Sequence, residues 1–135
     1  MSKLIRRVAI TGGSGYIGSR LVKKLENEPQ IDSILIIDSN PPDKLLDNSK
    51  VTFIQHDISF PLVNHLQELD VQAMIHLAHV LKPNHSRKHT QQINVGGTSN
   101  ILDTCATYGI KKIIYLSSTT AVSYTHLTLP TILLV

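Results

Sequence analysis

The sequence predicts an α/β domain built on a doubly wound parallel sheet that breaks off after about five strands. Three observations predict it. Short β-branched runs alternate with helical patterns, the first run passes directly into closely spaced glycines, and the second run ends on an aspartate at a set distance beyond them. Parallel neighbours need long crossovers, and the crossover helices cover both faces of the sheet, so the strands read as continuous apolar runs.

The first strand is expected at Arg7–Thr11. Ile17, Leu21, Val22 and Leu25 then recur at helical spacing, and Pro29 closes the segment. Strands at 34–38 and Val51–Gln55 follow, separated by a loop over 40–50 that Pro, Asn and Asp mark. A weaker helix is expected over 62–69, opened by Pro61 at a first-turn position, and then a strand at 73–77. A second polar loop covers 82–89. The strongest helical pattern runs over 90–108, with Ile93, Ile101, Leu102 and Cys105 on an apolar face and Gly109 as its stop, before a fifth strand at 112–117. No internal repeat is present.

Composition bounds the partners. With 135 residues, 41% of them apolar, one domain with a real core is the default. The net charge of +3 is small, and its basic residues are scattered apart from pairs such as Arg6-Arg7, Lys23-Lys24 and Lys111-Lys112, which argues against nucleic acid as a partner. A single cysteine, Cys105, allows no internal disulfide, and a cytoplasmic setting fits. The leading apolar run reaches only Val8-Ala9-Ile10 before glycines interrupt it, so neither a signal peptide nor a membrane span is expected.

Gly12, Gly15 and Gly18 stand at three-residue intervals between the first strand and its helix. Gly12 permits the tight turn, Gly15 lets backbone approach a pyrophosphate, and Gly18 lets the helix pack closely on the sheet. Phosphates would then meet the first helical turn, Tyr16, Ile17 and Gly18, whose N–H groups and dipole favour anions. Asp38 lies 20 positions after Gly18, the spacing at which a carboxylate accepts from the adenosine ribose hydroxyls and repels a 2′-phosphate. NAD is therefore expected over NADP. A P-loop is excluded, because no lysine follows the last glycine. The competing reading of Asp38 is a strand-end residue that bonds its own turn.

These glycines and four later motifs resemble the Rossmann-type extended short-chain dehydrogenase/reductases, the NAD-dependent epimerases and dehydratases, over residues 5–121. By this resemblance Asp57 and Ile58, after the third strand, form the adenine end of the site. Leu77, Ala78 and His79 line the nicotinamide end, where His79 replaces the family's usual small residue and alters the pocket. Asn94, in Ile93-Asn94-Val95-Gly96-Gly97-Thr98, resembles the helix residue that faces the cofactor. Ser117 and Ser118 line the cofactor and Thr119 matches the catalytic hydroxyl, though a shift of one residue would implicate Ser118 or Thr120. The plain alternative is that these hydroxyls only cap a strand end.

In that family a tyrosine four residues before a lysine acts as acid and base, its pKa lowered by the lysine and the nicotinamide charge. That pair is expected beyond Thr120 and is absent from this sequence, so the 135-residue chain is expected to show no turnover, weak or no NAD binding, and aggregation through an open edge at strand five. Tyr108 and Lys112 have the right spacing, yet Gly109 ends the helix between them. His76, His79, His85 and His89 could be read as a metal site, but their spacing favours no shared face, and no metal is expected.

From Val122 onward the chain loses all charge and all clear periodicity. Val122 to Thr131 back-translates as GTC TCT TAT ACA CAT CTG ACG CTG CCG ACG, which resembles the mosaic-end adapter of transposase-based sequencing libraries. The adapter's preceding CT fits a GCT codon for Ala121. Residues 1–121 are thus expected to be the N-terminal part of the NAD-binding domain and residues 122–135 a non-native read-through tail, to be set against a genuine terminal strand. For the whole protein the resemblance implies a small-molecule substrate such as a nucleotide sugar, and a homodimer. A hydroxysteroid- or flavonoid-type reductase shares every motif, and a noncatalytic NAD sensor would keep the glycine turn without the base.

Overall fold

A computed structural model describes residues 4–43, 49–62, 70–79 and 87–116. Among them five strands form one parallel sheet: β1 (Arg7–Thr11), β2 (Ser33–Asp38), β3 (Val51–Gln55), β4 (Ala73–His76) and β5 (Lys112–Tyr115), in the spatial order β3-β2-β1-β4-β5. This is the Rossmann order as far as it runs, and it places the topological switch point between β1 and β4.

The core shows why these runs are apolar at every position. Val8 and Ile10 of β1, Ile34 and Ile36 of β2, and Ala73 and Ile75 of β4 pack on one face with Leu21, Val22 and Leu25 of helix α1 (Tyr16–Glu26). Their in-between neighbours Ala9, Leu35, Ile37 and Met74 pack on the other face with Ile101 and Cys105 of a later helix. Because side chains alternate along a strand, two covered faces require both sets to be apolar.

That later helix differs from the sequence expectation. It begins at Arg87 rather than 90, inside the segment read as a loop, and runs as α2 (Arg87–Gln91), a π-helical stretch (Gln92–Gly97) and α3 (Thr98–Thr107). Gly109 stops it as expected, at φ 70°, and the N–H of Ile110 reaches back 2.9 Å to the Cys105 carbonyl in a Schellman closure.

Two helix positions read as apolar contacts are open instead: Ile17 is 52% exposed and Leu102 48%. β5 also departs from the doubly covered pattern, with Ile113 and Tyr115 of the strand and Leu116 just after it all substantially exposed along the edge of the described sheet. The helix expected over 62–69 falls, after Leu62, outside the described residues.

At the opposite end of the strands, Arg7 donates through Nε to the Asp70 carbonyl and through a second guanidinium nitrogen, at 3.0 Å, to its carboxylate. Gln72 Oε1 accepts from the N–H groups of Arg6 and Arg7. These contacts pin β4 beside β1 and leave the C-terminal strand ends to form the crevice.

Candidate functional site

The C-terminal ends of β1, β2 and β4 meet at the switch point, and the glycine turn fills the gap between them. The Gly12 N–H extends the ladder to the Ile37 carbonyl at 2.9 Å, and the Gly15 N–H closes the turn on the Gly12 carbonyl at 3.1 Å. Gly12 takes φ 72°, and a Cβ there would stand 2.8 Å from the Ala78 nitrogen. A Cβ on Gly18 would overlap the Gly12 carbonyl oxygen and come within 2.7 Å of the Gly13 Cα. Gly13 is also confined, here by the Ile36 side chain, a demand that the three-residue glycine spacing does not reveal.

The α1 helix starts on this turn with Gly15 as its N-cap and no side chain capping it, so the first-turn N–H groups keep their donor capacity. Gly15, Tyr16 and Ile17 are exposed there while Gly18 is buried. Ser14 Oγ is buried without a hydrogen-bond partner among the described residues. A tight glycine cradle, uncapped helical N–H groups and an unmet hydroxyl form a donor set that fits a phosphate group.

Asp38 ends β2 against the same turn. Its Oδ2 accepts the Ser14 N–H at 3.0 Å and its Oδ1 accepts the Asn40 N–H at 3.0 Å. The carboxylate thus both closes its own strand end and stands beside the glycines.

Asp57 is exposed, and its Oδ1 accepts from the N–H and the hydroxyl of Ser59 at 2.9 and 2.8 Å, an Asx turn after β3. Ile58 is buried against Gly97, and its carbonyl accepts from Asn100 Nδ2 at 2.8 Å. The Asp57 turn is therefore docked on the helix that carries Asn94, through a residue, Asn100, that helical periodicity could not single out.

Past the end of β4, Leu77 and Ala78 follow the buried His76, and both N–H groups donate to Thr11 Oγ1, the Leu77 N–H also to the Thr11 carbonyl at 3.1 Å. His79 beyond them is exposed. Burial, reinforced by the neighbouring charge of His79, pushes the His76 imidazole down to about 4. Asn94 lies in the π-helical stretch, half-buried, and its carbonyl accepts from the Thr98 hydroxyl at 2.7 Å.

Ser117, Ser118 and Thr119 lie outside the described residues, as do the tail 122–135 and His85. Tyr108 caps the end of α3, Gly109 reverses the chain, and Lys112 opens β5, which places the two residues on different elements. Among the described residues no three His, Cys, Asp or Glu side chains could hold a metal, and no helix is long and apolar enough to cross a membrane. Burial pushes the Cys105 thiol up to about 11, the behaviour of a small core residue.

The family model described as the 3-beta hydroxysteroid dehydrogenase/isomerase family matches residues 9–128. The short-chain dehydrogenase/reductase family 42E member 1 of Macaca fascicularis is 32% identical over 116 residues, 82% of this chain and 29% of its own length. The 3 beta-hydroxysteroid dehydrogenase/Delta 5-->4-isomerase of Monkeypox virus is 34% identical over 120 residues, 84% of this chain and 34% of its own. A solved UDP-glucose-4-epimerase from Stenotrophomonas maltophila, with bound NAD and formylated UDP-arabinopyranose, superposes with a TM-score of 0.71 at 25% identity, over 85% of this chain and 38% of that one. The chain spans about a third of the length of the curated relatives it matches, between 29% and 39% of the first of them.

Proposed function

Because the chain belongs to the 3-beta hydroxysteroid dehydrogenase/isomerase family, we propose that it is the NAD-binding portion of a sugar-nucleotide epimerase/dehydratase-like oxidoreductase, which oxidises a secondary alcohol of a nucleotide sugar to a transient ketone. The observation that carries the cofactor reading is the Asp38 carboxylate, 3.0 Å from the Ser14 N–H and so beside the glycine turn. A negative charge there favours ribose hydroxyls and opposes a 2′-phosphate.

Gly12, Gly15, Tyr16, Ile17 and Gly18 would hold the pyrophosphate through backbone N–H groups. Asp57 and Ile58 would bound the adenine end, and Leu77, Ala78, His79 and Asn94 the nicotinamide end. When bound, NAD supplies the acceptor and donor of hydride. Thr119, flanked by Ser117 and Ser118, would orient the substrate oxygen by hydrogen bonding, and an acid–base pair encoded past residue 121 would move its proton. Residues 1–121 are the native reading in this proposal, and 122–135 a read-through of adapter sequence. The complete protein acts in the cytoplasm as a homodimer, and the 135-residue chain by itself turns nothing over.

A second reading, a hydroxysteroid in place of the nucleotide sugar, is favoured by the family match across residues 9–128. Sequencing the uninterrupted gene and assaying its product for conversion of UDP-sugars by product analysis, since an epimerase or dehydratase returns its hydride and accumulates no NADH, and for NADH formation with 3β-hydroxysteroids separates the two. In the same product, Asp38→Asn is expected to weaken NAD about tenfold, the loss of about 1.4 kcal/mol of charge-assisted hydrogen bonding, and to narrow discrimination against NADP. Calorimetric titration checks this. Tighter binding of NADP than NAD by the unaltered protein would sink the cofactor assignment.

A further inference from the structure

Beneath the glycine turn a buried polar chain joins β1, β4 and the long helix, and its proton directions can be assigned. Thr11 Oγ1 accepts from the Ala78 N–H at 3.1 Å and, at 3.0 Å, from the Leu77 N–H, which it shares with the Thr11 carbonyl at 3.1 Å; among the described residues its own proton has His76 Nδ1 as the acceptor in reach. That proton goes to His76 Nδ1, 2.6 Å away, which makes Nδ1 the unprotonated nitrogen. At the other side of the ring, Nε2 lies 2.9 Å from Thr98 Oγ1, whose own proton is donated to the Asn94 carbonyl at 2.7 Å. Nε2 then carries the hydrogen. One arrangement of protons satisfies every partner, and it is the neutral Nε2–H tautomer.

We infer that His76 is a positioning residue: a neutral Nε2–H spacer that fixes the Asn94 carbonyl, in the π-helical stretch, against the end of β1 where the glycine turn begins. The inference rests on the proposed cofactor reading, since the two walls it ties together are those of that site. Imidazole suits the task because a rigid ring accepts at one nitrogen and donates at the other in diverging directions, whereas the amide side chains carry both functions on one carbon. At 2% exposure the ring has no water to take over a lost partner, so breaking either contact leaves a polar group unmet.

The π-helical stretch gives the spacer something to hold. A single-turn departure from α-helical hydrogen bonding frees backbone carbonyls to be met by side chains, and the Thr98 hydroxyl meets that of Asn94. The titratable groups near the ring are His79, further along the same chain segment, and Tyr115 of β5, whose ring centroid is 5.8 Å away. A second proton on His76 would sit on Nδ1 and meet the Thr11 hydroxyl proton head-on, and turning that hydroxyl away leaves its proton without an acceptor among the described contacts, so protonation opens the chain at this joint.

The test uses the product of the uninterrupted gene and ¹⁵N spectra of its histidine rings, with and without NAD. Expected for His76 are an unprotonated Nδ1 and a protonated Nε2, unchanged from pH 7 to pH 5. An Nδ1–H tautomer, or a charged ring at pH 6, would overturn the inference. Thr98→Val keeps the shape of the side chain but removes the hydroxyl; it is expected to weaken NAD at least tenfold, while Thr98→Ser restores affinity. Wild-type affinity in a folded Thr98→Val protein would also overturn it. Absence of NAD binding by the unaltered protein would overturn the cofactor reading alone, and the ring spectra would still decide the tautomer.

Discussion

On the side of β1 and β2 the strands are sealed: Ile10 and Ile37 have no exposed surface, and Ile34 and Ile36 have 1% each. Across the switch point, β5 and the residue after it leave Ile113 39%, Tyr115 42% and Leu116 41% exposed, and Leu102 on the adjoining helix is half open. Both regions are equally apolar in sequence. The difference is in what covers them: α1 follows β1 directly and lies back on it, while among the described residues nothing lies over the outer edge of β5. A closed βαβ unit carries its own cover, and an edge strand with this composition implies cover from further chain or from another surface.

The sharpest way to break the sealed half is at its tightest contact. Gly18→Val would drive a branched side chain into the Gly12 carbonyl and the Gly13 backbone, neither of which is a flexible side-chain end. The expected loss is about 3 kcal/mol or more, at or above the upper range of overpacking, read as a fall in urea midpoint or as failure to fold. A variant with an unchanged midpoint would show that the turn is not held as described.

Acid probes the joint between the two halves. The His76 imidazole titrates at about 4 in the fold against 6.5 ordinarily, so between those values the unfolded chain binds more protons than the folded one. Stability from this group is fully present above pH 6.5 and is lost as pH falls toward 4, by up to about 3 kcal/mol. Urea midpoints measured from pH 7 to pH 4 should fall accordingly. His76→Gln, which cannot take up a proton, should be less stable at pH 7 and flatter across that window; a parallel decline in both proteins would remove His76 as the cause.

Legibility in the sequence follows the same division. The pattern places β1 and β3 to the residue and β2 within one, because a doubly covered parallel strand is apolar along its length and its flanking turn residues mark both ends. The glycine turn and Asp38 were visible as a spacing, and the structure sets them side by side. Periodicity marked Ile17 and Leu102 as core, since apolar spacing says which residues share a face and not whether anything covers it. The π-helical stretch was invisible, because one extra residue per turn over six residues barely disturbs a 3.6-residue pattern. Thr11, His76 and Thr98 were unreadable as a unit: 65 and 22 positions separate the bonded pairs, and only the register that sets Thr11 beside His76 brings them together.

The smallest expected effect contrasts two glycines. Gly96, in the π-helical stretch, has nothing within 4 Å of where a Cβ would stand, and its φ is not in the left-handed region. There glycine contributes only disorder to the unfolded chain, so Gly96→Ala should stabilise by about 0.5–1 kcal/mol, read as a small rise in urea midpoint. At its neighbour Gly97 a Cβ would stand 2.5 Å from Ile58 Cδ1, so Gly97→Ala should destabilise, although less than Gly18→Val, because the obstacle is a side-chain end that can give. If Gly96→Ala destabilised instead, a methyl group would be meeting something beyond the described residues, and the open half of the sheet would be better covered than β5 indicates.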